Sequence, residues 1–430
     1  MHLSRYLKAY PSKDIPDQIL LYSTLRGSLI RVSSATLEAA RTGELSAAQK
    51  DSLTRIGMLV ADPDQEKEQM REFLKRADAR SRNFTAIVVL NLSCNLDCEY
   101  CYEGGFRGEN HLTEATAQLL VDTLIRDRLS QGLAVTISFY GGEPLLSRDM
   151  IRRISEPLLE AAHRNGTSYG FTLVTNGTLL SREVAEEVIP VGLKAAKFTL
   201  DGPPEIHDKQ RPFASGAGSF AAILDNLAAV CDLIAIQLGG NFLQENYREF
   251  PRLLDHLLEK GITPDKLAQV LFTPITPQAG CSEYNSGCAS SSAPWLVDAL
   301  LYLRGEILAR GFATTKPAVS ACVVELENNM VVNWDGSLYK CPTFMGWPDL
   351  SIGNLSSGLQ DYRASHCIGN WQNDECLECP YLPLCFGGCR FLTLLNERSL
   401  SEVECRRDFL NATLEEFLLQ NLAHPVKTKS

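Results

Sequence analysis

Three cysteines, Cys94, Cys98 and Cys101, lie within eight residues directly after the apolar run Thr85–Leu92. A Cys-x3-Cys-x2-Cys loop can ligate three irons of a four-iron cluster, which leaves the fourth iron without a protein ligand. An electron carrier uses four cysteines per cluster, so this spacing predicts an exogenous ligand on the last iron. Because Cys-x2-Cys pairs also suit tetrahedral zinc, a structural zinc site is the competing interpretation.

Further polar motifs follow the next strands. Gly141, Gly142 and Glu143 come directly after the predicted strand Ala134–Tyr140, where the glycines would let a ligand approach the backbone and the carboxylate could accept from an ammonium group. Thr175-Asn176-Gly177 and Thr199–Pro203 end two later strands, and turn residues of this kind need no function by themselves.

A second group of cysteines lies in the last quarter of the chain. The sequence holds 14 cysteines and lacks a secretory signal, so metal ligation is favoured over disulfides, which reducing cytosol opposes. A zinc ribbon remains the alternative for Cys376–Cys389, and Cys231 is expected to be a core thiol. The C-terminal thiols are Cys322, Cys341, Cys376, Cys379, Cys385, Cys389 and Cys405.

The segment from Asn83 to about Thr276 alternates apolar strands with helical stretches. This alternation predicts an α/β fold with a parallel sheet buried on both faces, and six such units fit a partial barrel whose chemistry lies at the carboxyl ends of the strands. The predicted strands are Thr85–Leu92, Ala134–Tyr140, Tyr169–Thr175, Ala195–Leu200, Leu233–Leu238 and Gln269–Thr273.

The first 80 residues are expected to form a small module. Gln18–Ser33 has the pattern of a hairpin, two helices follow behind serine caps, and Gly57–Val60 is a candidate closing strand. A charged third helix over Asp64–Ala79 would lead to the barrel. Pro274–Pro294 is predicted to be a loop, followed by a helix over Trp295–Gly311.

The cysteine loop together with the Gly-Gly-Glu-Pro turn resembles the radical S-adenosylmethionine (SAM) enzymes. The resemblance implies a TIM-like radical SAM barrel and SAM bound to the unique iron. It also implies cofactor contacts from residues at the strand ends, while His207 and Asp208 are expected to be structural and no catalytic side chain is assigned. The implied cofactor-binding residues are Tyr100, Gly141, Gly142, Glu143, Thr175, Asn176, Thr199 and Arg211, the last through a charge-assisted fork to the SAM carboxylate.

The C-terminal cysteines closely resemble the SPASM domain, a twin-cluster extension of peptide-modifying radical SAM enzymes. The family pattern gives Cys376, Cys379, Cys385 and Cys405 to an outer auxiliary cluster, and Cys322, Cys341 and Cys389 to an inner one, for three 4Fe-4S clusters in all. The inner cluster then lacks one ligand, which Cys281, Cys288, Cys367 or a substrate thiolate could supply.

The N-terminal module resembles the winged-helix leader-recognition domains of peptide-modifying enzymes, which bind an extended peptide along a sheet edge. The alternative is a packing extension of the catalytic domain. The expected domains are 1–80 for leader recognition, 81–280 for the barrel, 281–315 for a bridging loop and helix, and 316–430 for the SPASM region. A form beginning near Ser81 is expected to keep its iron and cleave SAM slowly.

These resemblances imply a maturase that forms sulfur-to-carbon thioether links in a ribosomally made precursor peptide, with flavodoxin or ferredoxin as electron donor. The first alternative is an anaerobic sulfatase-maturating enzyme, although such enzymes place an Asp base where this chain has Pro342 after Cys341. A non-enzymatic iron-sulfur or zinc scaffold is the second alternative.

Charge and hydropathy exclude other classes of partner. A net charge of -11 argues against binding of nucleic acid, which needs clustered cations. No apolar run approaches the length of a membrane span, and the N-terminus lacks the apolar core of a signal peptide. The protein is therefore expected to be soluble and cytoplasmic, without a membrane partner.

Overall fold

The computed structural model describes residues 1–101, 103–105, 107–275, 294–397 and 399–425. They form two compact units. The first comprises Met1–Arg80, Lys316–Leu326 and Arg363–Leu419, and the second comprises Ser81–Thr315, Glu327–Tyr362 and Gln420–Ser430. The predicted loop with Cys281 and Cys288 lies outside the described residues. This grouping divides the chain differently from the four expected domains, whose functional meaning stays a prediction.

The N-terminal segment contains the hairpin that the sequence predicts. Its strands are β1 (His2–Leu3), β2 (Leu7–Pro11), β3 (Gln18–Ser23), β4 (Leu29–Ser33) and β5 (Leu59–Val60), with an antiparallel sheet in the order β2-β3-β4. Its helices are α1 (Ser34–Thr42), α2 (Ala47–Arg55), α3 (Pro63–Arg71) and α4 (Phe73–Arg80). Serine side chains cap α1 and α2, as expected. The single helix predicted over Asp64–Ala79 is wrong, because the chain breaks at Glu72 without a glycine or proline that would reveal the break.

Six parallel strands form the partial barrel of the second unit, in sequence order. The strands are β6 (Asn83–Val89), β7 (Ala134–Tyr140), β8 (Tyr169–Val174), β9 (Leu193–Thr199), β10 (Ala235–Phe242) and β11 (Gln269–Pro274). The helices are α5 (Glu114–Asp127), α6 (Arg148–Arg164), α7 (Arg182–Val188), α8 (Pro204–Gln210), α9 (Phe220–Val230), α10 (Pro251–Glu259) and α11 (Pro294–Ala309). The α/β fold class and the six-stranded partial barrel are thus confirmed.

The barrel sheet continues beyond β6. Strand β12 (Asn329–Val332) pairs parallel to β6, and β13 (Ser337–Tyr339), β14 (Gly353–Asn354) and β15 (Gly358–Leu359) follow antiparallel. Part of the C-terminal cysteine region, including Cys341, therefore belongs to the barrel unit.

The barrel strands bury one face more completely than the other. On β7 the side chains of Val135, Ile137 and Phe139 are fully buried, whereas the alternate positions are only partly buried. Some of the alternate positions are polar, and Thr172 Oγ1 donates to Ser138 Oγ across β8 and β7 at 3.2 Å. The core thus lies between sheet and helices, and the inner face of the barrel is suited to polar ligands.

The C-terminal segment of the first unit is mostly irregular. It contains α12 (Asp374–Leu377), α13 (Arg390–Glu397) and the start of α14 (Arg407–Ala423). A fully buried ion pair between Arg390 and Glu325 joins two of its parts, and Trp371 Nε1 donates to the same glutamate at 3.1 Å. Among the described residues, no helix is long and apolar enough to cross a membrane.

Candidate functional site

A cavity of about 320 Å³ opens at the carboxyl ends of the barrel strands. Its wall combines the cysteine loop with residues that end or follow β7, β8, β9 and β10. It contains seven of the eight predicted cofactor residues, all except Glu143, together with the three thiols of the first loop. The lining includes Cys94, Cys98, Tyr100, Cys101, Gly141, Gly142, Thr175, Asn176, Lys197, Thr199, Arg211 and Asn241.

The Gly-Gly turn holds the backbone that leads into the cysteine loop. Gly142 N donates to Asn91 O at 3.1 Å and Glu143 N donates to Ser93 O at 2.8 Å. A Cβ on Gly141 would lie 2.3 Å from Asn91 O, and one on Gly142 would lie 2.2 Å from Ser93 O. The glycines are therefore required by the approach of the protein's own backbone, before any ligand is considered.

Two other segments hold the opposite side of the cysteine loop. Asn176 Nδ2 donates to Asn95 Oδ1 at 2.8 Å and lies 3.7 Å from Cys94 Sγ. Asp97 N donates to Pro212 O at 2.8 Å. The loop that carries the three thiols is thus fixed from the ends of β7 and β8 and from the segment around Arg211.

Glu143 is fully buried and does not reach the cavity wall. Its Oε1 accepts from Leu145 N at 3.0 Å and from Thr175 Oγ1 at 2.8 Å, while its Oε2 accepts from Asn176 N at 2.8 Å. Burial raises the pKa of Glu143 to about 7, against the lowering effect of these hydrogen bonds. The carboxylate joins the ends of β7 and β8, and this geometry does not support its expected direct contact with an ammonium group.

A buried polar network lies behind the cysteine loop. The hydroxyl of Tyr100 donates to Asp201 and accepts from Arg211 Nη1 at 2.7 Å and from Asn241 Nδ2 at 3.1 Å. Burial is the main cause that raises the pKa of Tyr100 well above its ordinary value. Arg211 Nε is buried without a partner among the described residues, so this guanidinium retains a donor. Asp201 and Asn241 are parts of the site that sequence reasoning missed, since neither residue type stands out at a strand end.

His207 and Asp208 serve the backbone around this network. His207 Nδ1 accepts from Asp201 N at 3.0 Å, and its other ring nitrogen lies 2.9 Å from Ser219 Oγ. Burial lowers the pKa of His207 well below its ordinary value, so the ring is neutral. Asp208 Oδ1 accepts from Phe220 N at 2.8 Å. These contacts agree with the structural role expected for both residues.

The three loop thiols face one another in a partly desolvated setting. Burial raises the pKa of Cys98 to about 11, and it raises the pKa of Cys101 as well. Arg107, which the sequence did not single out, lies on the same cavity wall, and the three thiols raise the pKa of its guanidinium against the opposing effect of burial. Binding of a metal cluster would therefore displace protons from these thiols beside a resident cation.

Lys197 is a second cation that sequence reasoning missed. It occupies the inner face of β9, where its Cε lies 3.1 Å from the position of a Cβ on Gly239 of β10. The side chain is exposed to the cavity, and desolvation by the barrel wall lowers the pKa of Lys197. A lysine in the middle of a strand looks solvent-facing in sequence, so only the closure of the barrel reveals its place.

The C-terminal thiols of the first unit fall into two groups. After burial, the thiols of Cys379 and Cys376 help to raise the pKa of Cys385 to about 12, and Cys405 has the same effect on Cys376. Cys322 similarly contributes, after burial, to the raised pKa of Cys389. Cys376, Cys379, Cys385 and Cys405 thus form one group of interacting thiols and Cys322 and Cys389 form another, and the assignment of each group to a cluster stays a prediction.

The structure says less about the possible ligand roles of Cys341, Cys367 and Cys231. Cys341 lies in the barrel unit with its Sγ 3.0 Å from Thr343 Oγ1, and Cys367 has a positive φ of 48°. Cys231 is buried, as expected of a core thiol. Among the described residues, no three His, Cys, Asp or Glu side chains converge as ligands of a single metal ion. In a four-iron cluster each thiolate binds a different iron, so a common point of convergence is not required.

Known proteins resemble this chain over most of its length. Residues 88–257 match the family described as "Radical SAM superfamily". A curated Fe-coproporphyrin III synthase from Methanosarcina barkeri is 27% identical and covers 72% of this chain and 84% of its own. A cysteine-type anaerobic sulfatase-maturating enzyme from Clostridium novyi is 29% identical, with 69% of this chain and 85% of its own covered.

Two solved structures share the fold. The anSMEcpe structure with bound AdoMet and Kp18Cys peptide has a TM-score of 0.63 and 18% identity, and covers 79% of this chain and 97% of its own. SuiB of Streptococcus suis, bound to its precursor peptide SuiA, has a TM-score of 0.52 and 14% identity, and covers 94% of this chain and 98% of its own.

The cysteine loop, the barrel and the family match together define a radical SAM enzyme. Residues 88–257 thus form a radical SAM domain, and the chain shares its fold with the anSMEcpe and SuiB structures. A radical SAM domain implies a 4Fe-4S cluster and SAM as cofactors. The interpretation as a non-enzymatic scaffold is therefore wrong.

Proposed function

We propose that this enzyme is a maturase that forms sulfur-to-carbon thioether links in a ribosomally made precursor peptide. The coverage of the two solved structures carries the proposal. SuiB covers 94% of this chain, whereas anSMEcpe covers 79%, although each match uses nearly all of the neighbour's own chain. The longer match favours the peptide-modifying architecture, in which the N-terminal module has a counterpart.

The barrel residues fall into three groups: ligands of the iron-sulfur cluster, residues that would contact SAM, and residues that position these two. Cys94, Cys98 and Cys101 would hold the cluster that binds SAM, and the donor set of three adjacent thiols fits it. With SAM bound, such a cluster would supply the one-electron chemistry that makes hydrogen abstraction from carbon possible. Arg211 lines this cavity, and its Nε has no hydrogen-bond partner in the part of the chain that the structure describes, so the guanidinium can still bind an anionic group such as the SAM carboxylate.

Other residues complete the SAM pocket. Tyr100 fixes Arg211 and Asn241, while Gly141, Gly142, Thr175, Asn176 and Thr199 supply wall and polar contacts. Glu143 acts as a positioning residue, because its oxygens are taken by donors of the strand ends.

The balance of the reaction explains the auxiliary thiols. One thioether link removes a hydrogen atom from carbon and a proton from sulfur, and leaves one electron in excess. Two auxiliary 4Fe-4S clusters would accept it, with Cys376, Cys379, Cys385 and Cys405 as ligands of the outer cluster and Cys322, Cys341 and Cys389 as ligands of the inner one. Flavodoxin or ferredoxin would deliver the first electron.

Lys197 is the residue that we assign to the peptide. Lys197 lines the cavity, and desolvation lowers its pKa, so the protonated side chain can hold a substrate carboxylate and the neutral amine can take up the thiol proton. Lys197→Met should leave the iron content and SAM cleavage unchanged while crosslinked product falls at least tenfold, a loss of about 1.4 kcal/mol in transition-state stabilisation. A variant with wild-type product formation would remove Lys197 from the reaction.

The leader of the precursor would dock on the N-terminal sheet. Strand β4 is an edge of the β2-β3-β4 sheet within the described residues, and an added peptide strand could pair with it. Holding the leader raises the effective concentration of the reactive segment at the barrel, to the mM range for short linkers. A proline introduced at Arg31 in β4 should weaken precursor binding without changing SAM cleavage.

Co-expression tests the proposed function. The enzyme is produced anaerobically with a short cysteine-rich peptide encoded by a neighbouring reading frame, and the peptide is analysed by mass spectrometry. The expected product has lost two hydrogen atoms per link and no longer reacts with thiol reagents. Unchanged peptide together with active SAM cleavage would contradict the proposal.

Formylglycine formation is the second candidate, since a sulfatase-maturating relative matches 69% of the chain. Pro342 follows Cys341 and begins a short 3-10 helix, so the position where that family places an Asp base offers no proton acceptor. A sulfatase-derived Cys peptide, assayed in parallel, would gain an aldehyde only if this candidate is correct.

A further inference from the structure

The N-terminal segment contacts the loop that carries Cys376 and Cys379, within the first compact unit. Tyr6 is fully buried, and its hydroxyl donates to Leu377 O at 3.2 Å. Thr24 Oγ1 donates to Pro380 O at 2.6 Å. The two hydroxyls therefore bind backbone carbonyls inside and directly after the Cys-x2-Cys turn.

Apolar packing supports the same contact. Tyr6, Met70 and Leu74 of the N-terminal segment share one buried cluster with Trp371, Leu377, Leu382 and Phe386. Since a buried side chain of this size contributes about 1.5–3 kcal/mol, the cluster is large enough to fix the loop rather than merely to touch it. The cysteine segment would lose much of its apolar core without residues 1–80.

Two cations of the N-terminal segment lie beside the thiol loop. Glu378 stands between Cys376 and Cys379, and the guanidinium of Arg5 contacts its carboxylate. Lys67 Nζ lies 2.9 Å from Glu378 Oε1 and 3.0 Å from Asp374 Oδ1. Without these cations, Glu378 would lose both of its ion-pair partners among the described residues, and Asp374 would keep only the longer pair with Arg71, at 3.9 Å.

Such neighbours matter for an iron-sulfur cluster. Its reduction potential depends on the net charge and the hydrogen bonds around the sulfurs. Nearby cations favour the reduced, more negative state, and a fixed loop favours one ligand geometry. The four thiols Cys376, Cys379, Cys385 and Cys405 all lie in the first unit, where Cys379 N donates to Cys376 O at 3.0 Å, and four thiolates are the donor set of a four-iron cluster.

We propose that residues 1–80 are part of the outer cluster site, in addition to any role in leader capture. Tyr6 and Thr24 position the loop of Cys376 and Cys379, and Arg5 and Lys67 raise the reduction potential of the cluster held there. The inference rests on the outer cluster of the proposed function. It replaces the expectation that a form beginning near Ser81 keeps all its iron: such a form loses about four irons of about twelve.

The test uses the reconstituted full-length enzyme in a redox titration followed by electron paramagnetic resonance. In the double variant Arg5→Gln, Lys67→Gln, iron stays at about twelve per chain, and the potential of one cluster shifts downward while the others keep theirs. Lys75→Gln is the matched control, because among the described residues this lysine of the same segment pairs with Glu72 alone and its side chain is 79% exposed. Unchanged potentials in the double variant would overturn the inference.

Tyr6→Phe provides a second readout that does not depend on charge. Removal of one hydroxyl should alter the spectrum of the same cluster and speed the loss of about four irons to a chelator, with SAM cleavage retained. A variant with a wild-type spectrum and wild-type iron loss contradicts the positioning role. A wild-type enzyme with only about four irons would instead show that the outer cluster is absent and that the proposed function fails.

Discussion

The thiols of the barrel and those of the first unit are held in different ways. At the barrel mouth, Cys94, Cys98 and Cys101 lie on a loop fixed by the ends of parallel strands, where the topology itself gathers the site. In the first unit, the described thiols lie on short helices and irregular segments, and none of them belongs to a strand. There the thiol-bearing segments are held in place by the buried ion pair of Arg390 and Glu325 and by the contacts of residues 1–80.

The difference shows what each site needs from its sequence. The barrel loop depends on backbone shape, so glycines at the end of β7 are essential. The first unit depends on charge pairs between segments that are far apart in the chain. Its most sensitive positions are therefore side chains that belong to no sequence motif.

The largest effect is expected for Gly142→Ala, which disrupts the close backbone approach between the Gly-Gly turn and the cysteine loop. The new Cβ would lie 2.2 Å from Ser93 O, and a backbone oxygen cannot yield as a flexible side chain can. Iron should fall by about four per chain and SAM cleavage should disappear. Gly105→Ala is the control, since a Cβ there meets nothing within 4 Å. Full iron content in Gly142→Ala would show that the loop tolerates displacement.

A large loss of stability is expected for Arg390→Met, which removes one partner of the buried ion pair in the first unit. Removal of one partner leaves Glu325 buried and uncompensated, at a cost of about 3–5 kcal/mol in the free energy of unfolding. The exposed pair of Arg152 and Glu156 offers the control, because Arg152→Met should cost about 0–1 kcal/mol. Equal urea midpoints for the two variants would remove the buried pair from the account.

The carboxylate of Glu143 gives the barrel site a pH dependence. Because burial raises the pKa of this group to about 7 from its ordinary value of 4.5, its contribution to stability is fully present below pH 4.5 and is lost as the pH rises through about 7. Compared with Glu143→Gln, the wild type should lose up to roughly 3 kcal/mol between pH 5 and 8. Parallel stability curves of the two proteins over this range would contradict the assignment.

A smaller effect is expected for Arg211→Ala, at the one place where the barrel mouth also relies on buried charge. Loss of a charge-assisted hydrogen bond should weaken SAM binding by about 1.5–3 kcal/mol, measured by equilibrium titration, without loss of iron. Wild-type affinity would leave Arg211 with a purely structural role beside Tyr100 and Asp201.

Much of the barrel was predictable because its strands and their ends carry local signals. The six strands, the Gly-Gly turn and the cysteine loop are read from periodicity and spacing, and the structure places them at one cavity. Lys197 and Asn241 were not predicted, because only the closed barrel places them on its inner face. The burial of Glu143 was not predicted either, because the sequence does not show that three hydrogen-bond donors surround this strand-end carboxylate.

The first unit was less predictable for a different reason. Its cysteine spacing is a local signal, but the contacts of Tyr6 with Leu377 and of Arg5 with Glu378 join residues far apart in the chain. No periodicity marks such pairs. The packing of residues 1–80 on the cysteine segment was therefore visible only once the chain was folded.

Iron stoichiometry with SAM cleavage tests the central claim most directly. The wild type should carry about twelve irons per chain, four for each cluster. Replacement of Cys94, Cys98 and Cys101 by Ala should leave about eight irons and no SAM cleavage, whereas replacement of Cys376, Cys379 and Cys385 should leave about eight irons with cleavage retained. A wild type with about four irons, or cleavage that survives in the first variant, would contradict the account.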